Sequence, residues 1–239
     1  MESVAFYDWI FDEALFKQEA QRFYLGRTAR IRAEKALGRF QQAWQQKRLV
    51  SVGNNVQISE LKAQQAFNQV IFCELLGYSD MMSDGYVYDL LPEVSFDLLS
   101  NDGRSIKPRT DLAIGVFSRS DFVVSGVTEL KSPQADLFLP QKRVAYQNRV
   151  TGEYLSAMQQ SVEAMLAAHC DWALVSNMKH ICLIHRTDTK HVLAFDLTEL
   201  DIRSITDLYF AFGPGGFSNA TARPSRLNLL YERVRRLTK

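Results

Sequence analysis

Phe122-Val123-Val124-Ser125-Gly126-Val127-Thr128-Glu129-Leu130-Lys131 reads as one strand, apolar or small along most of its length and closed by a carboxylate and an ammonium. Strand side chains alternate faces, so Glu129 and Lys131 project to one side and Leu130 to the other. Charged groups at the end of an apolar strand are costly unless they are paired, metal-bound or chemically at work. Upstream, Lys107-Pro108-Arg109-Thr110-Asp111 closes a short segment on an acid. A hairpin between the two strings would carry Asp111 to the pair. Two carboxylates and a lysine form the set that a hard divalent cation and an attacking water require.

Working outward, residues 93–99 pair with 106–115 through Asn101-Asp102-Gly103, a hairpin turn signal. Residues 132–151 form a polar loop with Lys142, Arg143 and Arg149. Residues 153–169 form an amphipathic helix, with Leu155, Met158, Val162, Met165 and Leu166 on one face. Residues 172–177 and 181–186 are two further strands, and 192–197 a sixth. On the N-terminal side, residues 2–48 read as helical, with Phe6, Trp9, Ile10, Leu15 and Phe16 as an apolar stripe and Gly26 as a break between two helices. Val52-Gly53-Asn54-Asn55 is a turn. Ser59 is the N-cap of a helix running to about Leu76, and Gly77 its C-cap.

The run from Phe212 to Phe217 reads as a hinge or linker, followed by a basic helix over 225–237 with Arg226, Arg233, Arg235 and Arg236. The order predicts an α/β core with a mixed central sheet flanked by helices. It divides into an N-terminal helical segment (1–50), a central domain (51–212) and a linker with its helix (213–239).

Composition narrows the function classes. The chain has 239 residues, 46% hydrophobic and 23% charged, which is ordinary for a globular domain. The formal net charge of +1 rules out a global basic field, so contact with a nucleic acid requires a local patch. Cys73, Cys170 and Cys182 fit neither a zinc site nor a disulfide framework, and imply a reducing cytoplasm. No apolar run approaches a membrane span, and the acidic N-terminus does not read as a signal peptide. The four histidines, His169, His180, His185 and His191, lack metal-ligand spacing.

Glu-x-Lys alone carries little information, and the chain holds a second copy, Glu60-Leu61-Lys62. That copy follows a helix N-cap, where the dipole favours Glu and Lys62 points to solvent. The copy at Glu129 is set apart by the apolar strand before it, Pro133 after it and Asp111 in the preceding strand. The bland alternative is a salt bridge on an edge strand. Glu74 lies within the stripe of Phe67, Val70, Ile71 and Leu75, where a carboxylate must snorkel, pair or face a polar cavity. On the later helix, phase directs Gln159 toward the apolar face and Gln160 to one side.

These residues together give a resemblance. The chain resembles PD-(D/E)xK nucleases, and within them the N-terminal nuclease domain of fused type IIG and type ISP restriction–modification enzymes. The matching strings are Glu74-Leu75-Leu76-Gly77-Tyr78, Pro108-Arg109-Thr110-Asp111 and Thr128-Glu129-Leu130-Lys131-Ser132-Pro133. They continue with Asp136-Leu137, Pro140-Gln141-Lys142-Arg143, Gln160, Trp172-Ala173-Leu174-Val175-Ser176-Asn177 and Ile181-Cys182-Leu183-Ile184. The chain departs from the pattern where Arg109-Thr110 separates Pro108 from Asp111 and where Ala164 stands in a frequent aromatic position.

The resemblance implies a restriction-endonuclease-like core and Mg2+-dependent cleavage of DNA, with Mn2+ able to substitute. It implies that Asp111, Glu129 and the Leu130 carbonyl hold the metal and that Lys131 positions the attacking water. Glu74 would be the helical carboxylate that completes the site, and Gln160 the helical glutamine beside it. Arg109, Lys142, Arg143 and Arg149 would contact the DNA backbone. No S-adenosylmethionine-binding pattern occurs, so a methyltransferase or specificity domain or subunit outside this chain is an expected partner, and a homodimer is a separate expectation. The competing reading is a nucleic-acid-binding or scaffold module with a vestigial site.

Overall fold

The computed structural model describes residues 10–46, 48, 60–83, 85–99, 105–142, 153–217 and 225–237. Two helices open it, α1 (Glu13–Arg22) and α2 (Arg27–Gln45). The Asp12 side chain caps α1 by accepting the Leu15 N–H, and Gly26 sits at the N-cap of α2. The expected break at Gly26 is therefore present, while Phe6 and Trp9 lie outside the described residues. α3 (Glu60–Phe67) continues as π-helical turns over Asn68–Leu76 and stops at Gly77, whose φ of 84° gives the left-handed C-cap. The expected N-cap, Ser59, lies outside the described residues, as do the turns at 52–55 and 101–103.

A mixed sheet follows. Its strands are β1 (Tyr88–Ser95), β4 (Arg109–Phe117), β5 (Phe122–Leu130), β6 (Trp172–Ser176), β7 (His180–His185) and β8 (Asp188–Asp196), in the spatial order β1-β4-β5-β6-β7-β8. A small ladder of β2 (Leu98–Leu99) and β3 (Ser105–Ile106) lies between β1 and β4 in the chain. β5 pairs in parallel with β6, through the crossover that contains α4 (Ala157–Ala168), and every other pairing is antiparallel. β1 begins five residues before the expected start at Glu93 and includes Pro92, which an edge strand tolerates because its missing N–H faces no partner.

The two faces of the sheet are covered differently. α4 packs Ala157, Met158, Ala164 and Met165 over Val127, Ala173, Val175 and Ile184. The opposite face, with Leu112, Ile114, Leu130, Leu174 and Leu183, carries the larger core of α1, α2, α3, α5 (Ile205–Phe212) and α6 (Arg226–Leu237). The run 212–217, expected as a linker, is instead a packed turn. Phe212 and Phe217 are buried, and Phe217 rests against Gly126 of β5, where a Cβ would meet its ring at 3.1 Å. Arg226 ties the turn to α6: its guanidinium donates to the carbonyls of Phe210 and Pro214 at 3.2 and 3.0 Å and lies 4.7 Å over the Phe23 ring. Among the described residues, no helix is long and apolar enough to cross a membrane.

Candidate active site

The sheet places three of the predicted residues together. Thr128 pairs with Leu112 at the end of the β4–β5 ladder, and Asp111 and Glu129 are the next residues out on the two strands, each on the reverse face from its paired neighbour. Directly opposed residues share a face, as do Glu129 and Lys131 two positions apart. All three therefore project from the face that α4 covers. Beyond Leu112 the two strands part, and side chains take over the ladder. The Thr110 hydroxyl donates to the Thr128 carbonyl at 2.7 Å and accepts the Thr128 N–H at 3.0 Å. The Asp111 carboxylate accepts the Leu130 N–H at 2.6 Å. Lys131 lies one residue past the end of β5, yet its N–H still donates to the Ser176 carbonyl of β6 at 2.8 Å.

Burial defines the electrostatics. Glu129 is 7% exposed and Lys131 3%. The Lys131 ammonium donates to the Glu129 carboxylate, forming a buried ion pair, and to Gln160 Oε1 at 3.0 Å. Gln160 is thus the residue of α4 that meets the cluster, and Gln159 is not. The reason is the register of the helix start. Ser156 forms a capping box with Gln159, accepting its N–H while the Gln159 side chain accepts the Ser156 N–H at 2.8 Å, which holds Gln159 at the exposed rim of the first turn.

Other predicted residues stand elsewhere. Glu74 lies on the helical layer of the opposite face, and its carboxylate pairs with Arg39 of α2 instead of joining the cluster. Arg109 forms an exposed ion pair with Glu93 at 2.7 Å. Lys142 is exposed, and Arg143 and Arg149 lie outside the described residues. The predicted metal-binding carbonyl, that of Leu130, accepts the Gln64 side-chain amide at 3.1 Å. Gln64 had no sequence signal, since an amide on a helix surface is ordinary and nothing in its spacing points to β5. Lys62 of the second Glu-x-Lys copy is exposed, in line with its reading as a solvated helix residue.

Burial, the largest effect in each case, pushes the thiols of Cys170 and Cys182 up to about 12, so neither supplies a thiolate near neutral pH. Among the described residues, no group of three or more His, Cys, Asp or Glu side chains converges to hold a metal ion. Any cation at the cluster would rest on two carboxylates, a backbone carbonyl and water. No family model matches the chain, and no curated protein and no solved structure matches it either.

Proposed function

We propose that this chain is a metal-dependent endonuclease that hydrolyses DNA phosphodiester bonds, built on a restriction-endonuclease-like core and serving as the cleavage module of a restriction-type system. The observation that carries the reading is the buried Glu129–Lys131 pair at the end of β5, with Asp111 of the neighbouring strand on the same face. A buried ion pair is a poor device for stability, because desolvation consumes most of its attraction. Its position at a strand end, beside a second acid, favours a chemical role.

The donor set suits a hard divalent cation. Mg2+ is commonly held through one or two carboxylates and keeps several waters, and Mn2+ accepts the same oxygen donors. Asp111, Glu129 and the Leu130 carbonyl would hold it. The bound ion would supply charge neutralisation at phosphate and a more acidic water. Lys131, oriented by Gln160 at 3.0 Å, would donate a hydrogen bond to the attacking oxygen and stabilise the negative charge that grows at phosphorus. Asp111 is anchored by the Leu130 N–H at 2.6 Å, on the residue that follows Glu129. Arg109 and Lys142 are exposed and would meet the DNA backbone, a contact that positions without reading sequence.

A second reading has its own observation. The Lys131 ammonium is already satisfied by Glu129 and Gln160, as expected in a nucleic-acid-binding or scaffold module whose site is vestigial. Plasmid nicking in Mg2+ or Mn2+ separates the two. The nuclease reading predicts nicking that stops on chelation and is absent in Lys131→Ala. Metal-independent DNA binding without strand cleavage would establish the scaffold reading instead.

A further inference from the structure

We infer that Gln64 of α3 is a positioning residue for this site, fixing the Leu130 carbonyl and through it the cation affinity of the Asp111–Glu129 pair. The inference rests on the hydrolytic reading above. Leu130 is the single residue between the acid and the lysine, and the backbone polar groups around it are each held by a different element. Asp111 of β4 takes the Leu130 N–H at 2.6 Å, and Ser176 of β6 takes the Lys131 N–H at 2.8 Å. Gln64 supplies the third contact, from the helical layer on the opposite face, by donating to the Leu130 carbonyl at 3.1 Å.

Gln64 therefore acts through the Leu130 carbonyl, between Glu129 and Lys131. A carbonyl oxygen has two lone pairs, so it accepts the amide of Gln64 and keeps a second direction for a cation. With the amide in place, that second direction is set before a cation arrives. The surroundings fit this role better than ordinary helix–sheet packing, which favours apolar side chains. Thr128 shares the Gln64 side of β5 with Leu130 and is fully buried, with its hydroxyl unpartnered. Asn68, one helical turn after Gln64, likewise has a buried, unpartnered Oδ1.

The test is calorimetric titration of the full chain with Mn2+, without DNA, for the wild type and Gln64→Met. Met keeps the length and approximate volume of Gln while removing the donor. Outer contacts to metal ligands typically change affinity by about 10–100-fold, and one carbonyl among several ligands belongs at the low end. The Mn2+ dissociation constant is expected to rise about 10-fold. Nicking should recover toward the wild-type rate at saturating Mn2+, so that the loss falls on metal demand and not on the maximal rate. A purely structural role would lower stability in chelator and leave the Mn2+ constant of the folded protein unchanged. That unchanged constant overturns the inference while the hydrolytic reading stands. A wild type that binds no Mn2+ overturns both. Gln64→Asn, which withdraws the donor by one methylene, is the second variant if Met disturbs folding, and the same two results decide it.

Discussion

Replacing Lys131 by Met removes the cation that Glu129 faces, and burial sets the consequence. Both side chains are almost wholly withdrawn from water, so the abandoned carboxylate has little solvent to turn to. Gln160 Oε1 loses its 3.0 Å donor in the same step. Removing one partner of a buried pair costs about 3–5 kcal/mol. Glu129 lies at the end of its strand and retains slight exposure, which places Lys131→Met near about 3 kcal/mol. Glu129→Gln strands the ammonium and should cost a similar amount. The double variant Glu129→Gln/Lys131→Met leaves no charge buried and should cost only about 1 kcal/mol, since replacing both partners is often close to neutral. Urea unfolding at neutral pH in chelator, with m unchanged, measures all three. The corresponding fall in melting midpoint for Lys131→Met is about 6–12 °C for a chain of this size. Single-variant losses that simply add in the double variant would refute the coupling, as would a Lys131→Met protein as stable as the wild type.

Three further outcomes follow from the packing. Gly115 sits at the irregularity in the β4–β5 ladder, and a Cβ there would strike the Val123 carbonyl, so Gly115→Ala should lower unfolding stability by about 2 kcal/mol. Arg226→Lys should fail to restore an Arg226→Ala loss of about 2–3 kcal/mol, because an ammonium cannot reach several turn carbonyls and the Phe23 face together; thermal melts of both variants check it. Burial lowers the His185 pKa from its ordinary 6.5, with Asp171 opposing, so the folded state keeps the ring neutral where the unfolded chain protonates it. Its contribution is complete above about pH 6.5 and is lost as pH falls from there toward the folded value. Unfolding free energy measured between pH 7 and 5 should decline less steeply in His185→Phe than in the wild type.

Much of the sheet is legible in the chain because β6 and β7 are short apolar runs and β5 is apolar or small along most of its length, with polar or turn residues at their ends. The shared face of Asp111, Glu129 and Lys131 is legible too, since strand alternation fixes it once the hairpin is assumed. Other features depend on contacts between distant segments. Arg39 and Glu74 meet only when α2 packs against the helix before Gly77, and a stripe position alone does not name a partner. Helix α5, Ile-Thr-Asp-Leu-Tyr-Phe-Ala-Phe, has only eight residues, six of them apolar, too short a run for a helical period to be told from a buried strand. The glycine- and proline-rich turn after it reads as a linker, because the side chain that closes it, Arg226, lies beyond it in sequence. Gln160 was reachable: Ser156 with Gln159 three residues on is a capping-box signal, and it moves the helix start from 153 to 157.

The proposed site would hold one divalent cation on Asp111, Glu129 and the Leu130 carbonyl, beside Lys131. Crystals soaked in Mn2+ and measured at the manganese absorption edge test it directly. The account predicts one anomalous peak bonded to both carboxylates and that carbonyl, and lost in Asp111→Asn. Manganese bound elsewhere, or no peak at a site where Lys131 still pairs with Glu129, would contradict it.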